Sequence, residues 1–317
     1  MPLENEILVR ARDLRKRYGS HEAVRGVDFE IQRGEAFGFL GANGAGKSTT
    51  MRMIGCVSEP SGGHLEAFGL DPHTDGPAIR ARLGVVPQDN TLDTMLTVFE
   101  NLTVYAGYFG IKRRAARARA AELLEFVQLT SRSGDKVDDL SGGMQRRLAI
   151  ARSLINDPEL VILDEPTTGL DPQARHLVWE RLFQLKQQGV SILLTTHYMD
   201  EAEQLCDRLV VMDEGRIIAS GSPRELIDTH VTKEVVELRF AGRHTTALAE
   251  LALELDGVGG QIEPLPDRIL VYTDDADDTA AALEARDIRP TSVLDRRATL
   301  EDVFLRLTGR ALVEDEA

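Results

Sequence analysis

The sequence predicts an α/β protein, a largely parallel sheet with a phosphate-binding loop at one edge, followed by a small α+β domain of ferredoxin-like order. Three observations carry this reading. Residues 36–40 are an apolar run, residues 41–49 read Gly-Ala-Asn-Gly-Ala-Gly-Lys-Ser-Thr, and residues 50–54 suit a helix closed by Gly55; strand, glycine loop and helix is the order that cradles phosphate. Apolar runs at 160–163 and 191–195 each lead into polar residues, as buried parallel strands do where they reach a ligand edge. Beyond about Leu226 the texture changes to short segments ordered strand, helix, strand, strand, helix, strand and a last helix, the split βαβ pattern. We therefore divide the 317 residues into 1–228 and 229–317, lengths that can each bury a core.

The glycine loop carries the first chemistry. Its glycines let backbone N–H groups curl around phosphate oxygens, Lys47 sits where it neutralises β- and γ-phosphate charge, and Ser48 is placed to hold Mg²⁺. A tight glycine turn with an incidental lysine is the bland alternative. Composition narrows the partners. The net charge is −15 and both parts of the chain are acidic, which disfavours nucleic acid. The only cysteines, Cys56 and Cys206, stand far apart and read as reduced thiols, not as a disulfide or zinc site. No apolar run approaches the roughly twenty residues that cross a bilayer, so no direct membrane span is expected, and a membrane partner stays open.

Alternation at 7–11 and 27–31 predicts short antiparallel strands leading into the loop strand. Tyr18, between them, suits either stacking on a base or packing within a loop. Residues 84–88 read as a strand ending at Gln88, and 97–128 as helical. Lys112, Arg113, Arg114, Arg117 and Arg119 form a basic cluster there, a solvated face in the plain reading and a contact for anionic headgroups or a membrane partner in the other. Leu140-Ser141-Gly142-Gly143-Met144-Gln145 opens a helix running to about 155; Ser141 suits an N-cap or a phosphate contact. The run 160–163 ends in Asp164-Glu165-Pro166. Carboxylates at that end of a parallel strand can support Mg²⁺ through water (Asp164) and polarise an attacking water (Glu165), or merely form a turn. Gly169-Leu170-Asp171 precedes a helix at 175–188, and strand 191–195 leads to His197, the one histidine following a core strand on the presumed ligand edge. His21, His64, His73 and His176 read as surface or packing residues. Residues 208–212 and 216–220 form a closing hairpin. In the second domain, Asp274, Asp275, Asp277 and Asp278 lack EF-hand spacing and read as an acidic turn capping a helix.

Taken together these motifs resemble the nucleotide-binding subunits of ABC transporters. Residues 41–49 correspond to Walker A, Gln88 to the Q-loop, 140–145 to the signature, Asp164 and Glu165 to Walker B with its catalytic carboxylate, Asp171 to the D-loop and His197 to the switch histidine. All six stand in the family's order over about residues 7–225. Within the family, 298–304 (Ala-Thr-Leu-Glu-Asp-Val-Phe) and 170–180 are similar to ATPases of the daunorubicin-resistance and nodulation lipooligosaccharide exporters. Ala42 replaces a usual proline and Met144 a usual glutamine; neither removes a phosphate ligand.

The resemblance implies a RecA-like core with an antiparallel β-subdomain and a helical subdomain at about 89–156. It implies a dimer, of identical subunits in the simplest case, in which each ATP lies between one subunit's Gly41, Asn43, Gly44, Ala45, Gly46, Lys47, Ser48 and Thr49 and the other's Ser141, Gly142 and Gly143, with Asp171 also counted among the ATP-binding residues. Tyr18 becomes the base-stacking residue, Ser48, Gln88 and Asp164 the Mg²⁺ set, and Glu165, His197, Lys47 and Gln88 the catalytic group. Residues 89–109 would receive a separate integral membrane permease at the cytoplasmic face of the cell membrane, and the cargo would be amphipathic. A soluble ABC ATPase of translation or DNA repair, and an ATP-binding switch without turnover, are the competing classes. The first needs a second cassette or coiled coil that is not seen here; the second has no use for Glu165.

Overall fold

The computed structural model describes residues 6–240, 245–255, 257–258 and 260–309, and the chain divides into two compact units between Ser222 and Pro223. The first unit runs β1 (Ile7–Tyr18), β2 (His21–Gln32), β3 (Ala36–Leu40), α1 (Lys47–Ile54), β4 (Gly62–Ala67), α2 (Gly76–Arg80), β5 (Leu83–Val86), α3 (Val98–Tyr108), α4 (Arg113–Phe126), α5 (Gly142–Ser153), β6 (Leu160–Asp164), α6 (Pro172–Gln187), β7 (Ser191–Thr196), α7 (Met199–Leu205), β8 (Arg208–Asp213) and β9 (Arg216–Gly221).

The six-stranded sheet has the order β5-β6-β7-β3-β8-β9. Its first five strands are parallel, and β9 closes the edge as an antiparallel hairpin partner of β8. All five residues of β3 and all six of β7 are buried, as continuous apolar strands between two layers must be. Because these strands run the same way, the segments after β3, β5, β6 and β7 all emerge at one edge. That single topological fact brings residues 41, 88, 164–165 and 197 within reach of each other.

A second sheet, β2-β1-β4, is antiparallel. The two expected short strands are twelve residues each, kept paired through several register shifts. Strand β4, which its Gly-Gly-His start conceals, covers the free edge of β1. Phe29 of β2 meets Phe39 of β3 edge-on at 5.1 Å, and Phe37 meets Phe39 at 5.6 Å. These rings lie in one continuous core, and each such buried side chain contributes roughly 1.5–3 kcal/mol. Helices α3, α4 and α5 pack together. A capping box of Thr97 and Glu100 starts α3, and Ser141 Oγ caps α5 by accepting from Met144 N at 3.3 Å. The basic cluster lies at the start of α4; Arg117 covers the Phe99 ring and Arg119 reaches Leu154 O at 3.3 Å.

The second unit runs α8 (Pro223–His230), β10 (Glu234–Arg239), α9 (Thr245–Glu254), β11 (Ile262–Pro264), β12 (Ile269–Thr273), α10 (Ala276–Ala285), β13 (Ser292–Arg297) and α11 (Leu300–Thr308). Its sheet, β11-β12-β10-β13, is antiparallel throughout, so β12 lies between the two strands joined by α9, the split crossover expected from the order of elements. Alternate residues of β10 serve two faces. Val236 and Leu238 join the core with Leu248, Leu251 and Leu283, while Glu237 binds Arg268 at 2.8 Å and Arg296 at 2.6 Å. Asp275 caps α10 by accepting from Asp277 N at 2.9 Å and Asp278 N at 3.3 Å, which accounts for the acidic run.

Candidate functional site

The loop after β3 has little freedom of shape. A Cβ on Gly41 would stand 2.3 Å from Met212 O and one on Gly46 2.6 Å from Ala23 O, while Gly46 also has φ 102° and Gly44 φ 82°. Only glycine meets both demands, and the loop can then wrap the start of α1. Tyr18, His21, Ala23, residues 43–49, Gln88 and Glu165 line a cavity of about 450 Å³. Tyr18 is half exposed at its rim with Lys16 Nζ 5.0 Å from its ring. His21, expected to be surface or packing, is exposed and part of this lining.

Lys47 is 4% exposed. Its Nζ donates to Gly41 O at 2.7 Å and Ala42 O at 3.1 Å and lies 3.8 Å from Glu165 Oε1. Burial lowers its pKa, and Glu165 and Asp164 oppose that effect. Ser48 Oγ donates to Asp164 Oδ1 at 3.0 Å, and Thr195 Oγ1 donates to the same oxygen at 2.5 Å. Gln88 Nε2 and Thr168 Oγ1 each donate to Glu165 Oε2 at 3.2 Å. His197 Nδ1 lies 3.3 Å from Glu165 Oε1, off the hydrogen-bond line. Burial pushes the Glu165 carboxyl up, but His197, Lys47 and Thr168 outweigh it and hold the pKa below the usual glutamate value. The carboxylate is therefore ionised at neutral pH, the form that accepts a proton.

Ser141, Gly142, Gly143 and Asp171 are not among the residues that line this cavity. Ser141 and Gly142 begin α5 and are exposed, and a Cβ on Gly142 would meet nothing within 4 Å. One on Gly143 would meet Ala174 Cβ at 2.8 Å, so the signature packs against the start of α6, which Asp171 caps through Ala174 N at 2.9 Å. Among the described residues there is no group of three or more His, Cys, Asp or Glu side chains that could hold a metal. Ser48, Gln88 and Asp164 instead offer hard oxygens beside a phosphate loop, a set suited to Mg²⁺ completed by phosphate and water. Thr168, Thr195 and Arg146 belong to this neighbourhood and were not singled out from sequence. Thr168 and Thr195 had a signal, since both adjoin the polar ends of core strands.

Residues 24–168 match the family described as ABC transporter, and residues 246–309 match the C-terminal domain of the nodulation factor export protein NodI. A Nod factor export ATP-binding protein I of Burkholderia orbicola is 46% identical over 95% of this chain and 97% of its own length, and one of Cupriavidus metallidurans is 46% identical over 96% and 98%. The chain belongs to the ABC transporter ATP-binding subunits. Solved ABC cassettes share the fold. The cbiO1 protein of Clostridium perfringens, part of the ABC transporter complex cbiONQ, superposes with a TM-score of 0.66 at 30% identity over 71% of this chain and 92% of its own. A cassette solved as a dimer in a post-hydrolysis state with ADP and Pi gives 0.62 at 27% identity, over 68% and 98%. As an ABC-type ATPase the chain binds ATP, and the loop-lined cavity stands at the carboxyl edge of the parallel sheet.

Proposed function

We propose that this ABC ATPase is the motor of an exporter, working as a head-to-tail pair, of identical chains in the simplest case, on a separate membrane permease. The observation that carries the reading is that Lys47, Ser48, Gln88 and Glu165 line one loop-built cavity, with Asp164 bonded to Ser48 and His197 beside Glu165, the six coming from four separate strand ends. ATP lies with its base on Tyr18 and its phosphates against the N–H groups of residues 43–49 and the Lys47 ammonium. Ser48, Gln88 and Asp164 hold Mg²⁺, which when bound neutralises phosphate charge. Glu165 takes the proton of the attacking water while Gln88 and Thr168 fix the carboxylate, and His197 steadies the γ-phosphate.

That Ser141, Gly142, Gly143 and Asp171 do not line their own chain's cavity supports the head-to-tail arrangement, in which they complete the facing subunit's ATP site. ATP then closes the pair and hydrolysis opens it. Among the described residues no helix is long and apolar enough to cross a membrane, so the permease is a separate chain and this subunit works peripherally at its cytoplasmic face. The relatives are named for Nod factor export, and an amphipathic cargo, a lipooligosaccharide or other glycolipid or a drug, fits the reading. Met95 and Tyr108, 79% and 80% exposed, lie in the 89–109 stretch that would receive the permease. Co-expression with that permease should give a detergent-solubilised complex whose mass requires two copies of this chain, with photo-crosslinks from Met95 and Tyr108. A lone soluble ATPase, with no integral membrane protein in the purified fraction, would overturn the exporter reading.

A further inference from the structure

Glu165 is held in an uncommon backbone conformation, with φ 46°, immediately before Pro166. A non-glycine residue there persists only when its surroundings over-determine it. Its N–H donates to Thr195 O and Thr195 Oγ1, at 3.2 and 3.1 Å. The carbonyls on either side are the other half of the restraint, and they all turn to one side chain. Arg146, on α5, donates from Nη2 to Asp164 O at 2.7 Å and Glu165 O at 3.0 Å, and from Nε to Pro166 O at 2.8 Å. Its Nη1 reaches Pro87 O at 2.5 Å and Gln88 O at 3.5 Å. One planar guanidinium thus joins five carbonyls from the ends of two neighbouring strands.

We infer that Arg146 is a positioning residue for hydrolysis: it locks the backbone of Asp164, Glu165 and Pro166 to that of Pro87 and Gln88, and so fixes the Glu165 carboxylate against the Gln88 amide. Gln88 is held at both ends, its carbonyl by Arg146 and its Nε2 by Glu165 Oε2 at 3.2 Å. Neutral carbonyls alone receive these five N–H groups, an arrangement whose value lies in geometry. Burial pulls the guanidinium down to about 10, so it remains charged at neutral pH. The next residue, Thr167, is tied by its hydroxyl to the buried Glu201 at 2.8 Å, so the restraint continues past the turn. Because Arg146 sits one turn into the helix that Ser141 caps, a movement of that helix reaches the base directly.

The inference rests on Glu165 being the base, and the test separates the two. Lysine keeps the charge but offers three donors from one point in place of a five-donor fork. In the full chain, R146K should keep its affinity for a fluorescent ATP analogue and its melting temperature while kcat falls about tenfold or more at unchanged KM, the pattern of an interaction that matters only in the transition state. In a Glu165→Gln background R146K should leave ATP-driven dimerisation as it is. A wild-type kcat in R146K overturns the inference, as does a loss confined to KM; a variant that fails to fold also overturns it, by making Arg146 part of the folding core. Full turnover in Glu165→Gln itself would instead remove the site assignment beneath it.

Discussion

At the scale of single residues, the site is governed by how the charge of Glu165 is kept. Its carboxylate is 6% exposed, an environment that favours the neutral acid, and it stays ionised because Lys47 and His197 face it. Replacing it with glutamine removes the charge and the proton acceptor but keeps a similar shape and the contact to Thr168. Turnover in Glu165→Gln should therefore fall about a hundredfold or more, the size of a lost general base, while ATP binding persists and an ATP-dependent dimer accumulates. Single-turnover ATPase assays with size-exclusion chromatography in the presence and absence of Mg-ATP check both parts. Retained turnover would remove Glu165 from the role.

At the scale of elements, the edge of the sheet opposite the cavity is fastened by charge. Glu159, just before β6, pairs with Arg82 just before β5, and with Arg33 Nη2 at 2.7 Å in the turn before β3. Its backbone N–H also donates to Arg82 O at 2.9 Å. Hydrogen bonds from Arg82 first, then Arg33, hold the Glu159 carboxyl down to about 2, although burial opposes them. A folded-state pKa below the unfolded one gives stability that is complete above about pH 4.5, the ordinary value, and is lost as pH falls toward about 2. The groups are about a third exposed, so solvent screens part of the effect. Glu159→Gln should lower Tm at pH 7 and flatten the decline of Tm between about pH 5 and 3, as read by thermal melts across that range. An unchanged acid slope would show that the carboxylates responsible lie elsewhere.

At the scale of the molecule, the two units have separate cores. The loop-lined cavity, Asp164, Glu165 and helix α5 all lie before Ser222, and the sheet and helices after Pro223 bury their own leucines and valines. Each core satisfies the usual condition for folding on its own. A chain ending at Ser222 should retain its α/β circular dichroism and cooperative melting and bind ATP within a few-fold of the full chain. Loss of cooperative unfolding in the shortened chain would mean that the second unit completes the first.

What the sequence determined by itself was whatever is covalently local. The phosphate loop is nine consecutive residues whose spacing is its geometry. The buried strands β3, β6 and β7 are unbroken apolar runs with their polar residues at the ends, and the second domain is legible in the order of its segments. Strand β4 was not, because Gly62-Gly63 lacks strand propensity and is recruited by the unpaired edge of β1. Tertiary structure decided what meets across the chain. Gln88 and Glu165 are 77 residues apart, and nothing in their local sequence states that an amide at the end of β5 will reach a carboxylate at the end of β6. Arg146 was invisible for the same reason, since among neighbouring arginines on one helix only the packing of α5 near two strand ends selects the one that gathers five carbonyls. Local sequence specifies conformation through backbone preference and burial; through-space contacts arise only once parallel pairing has placed four strand ends at one edge.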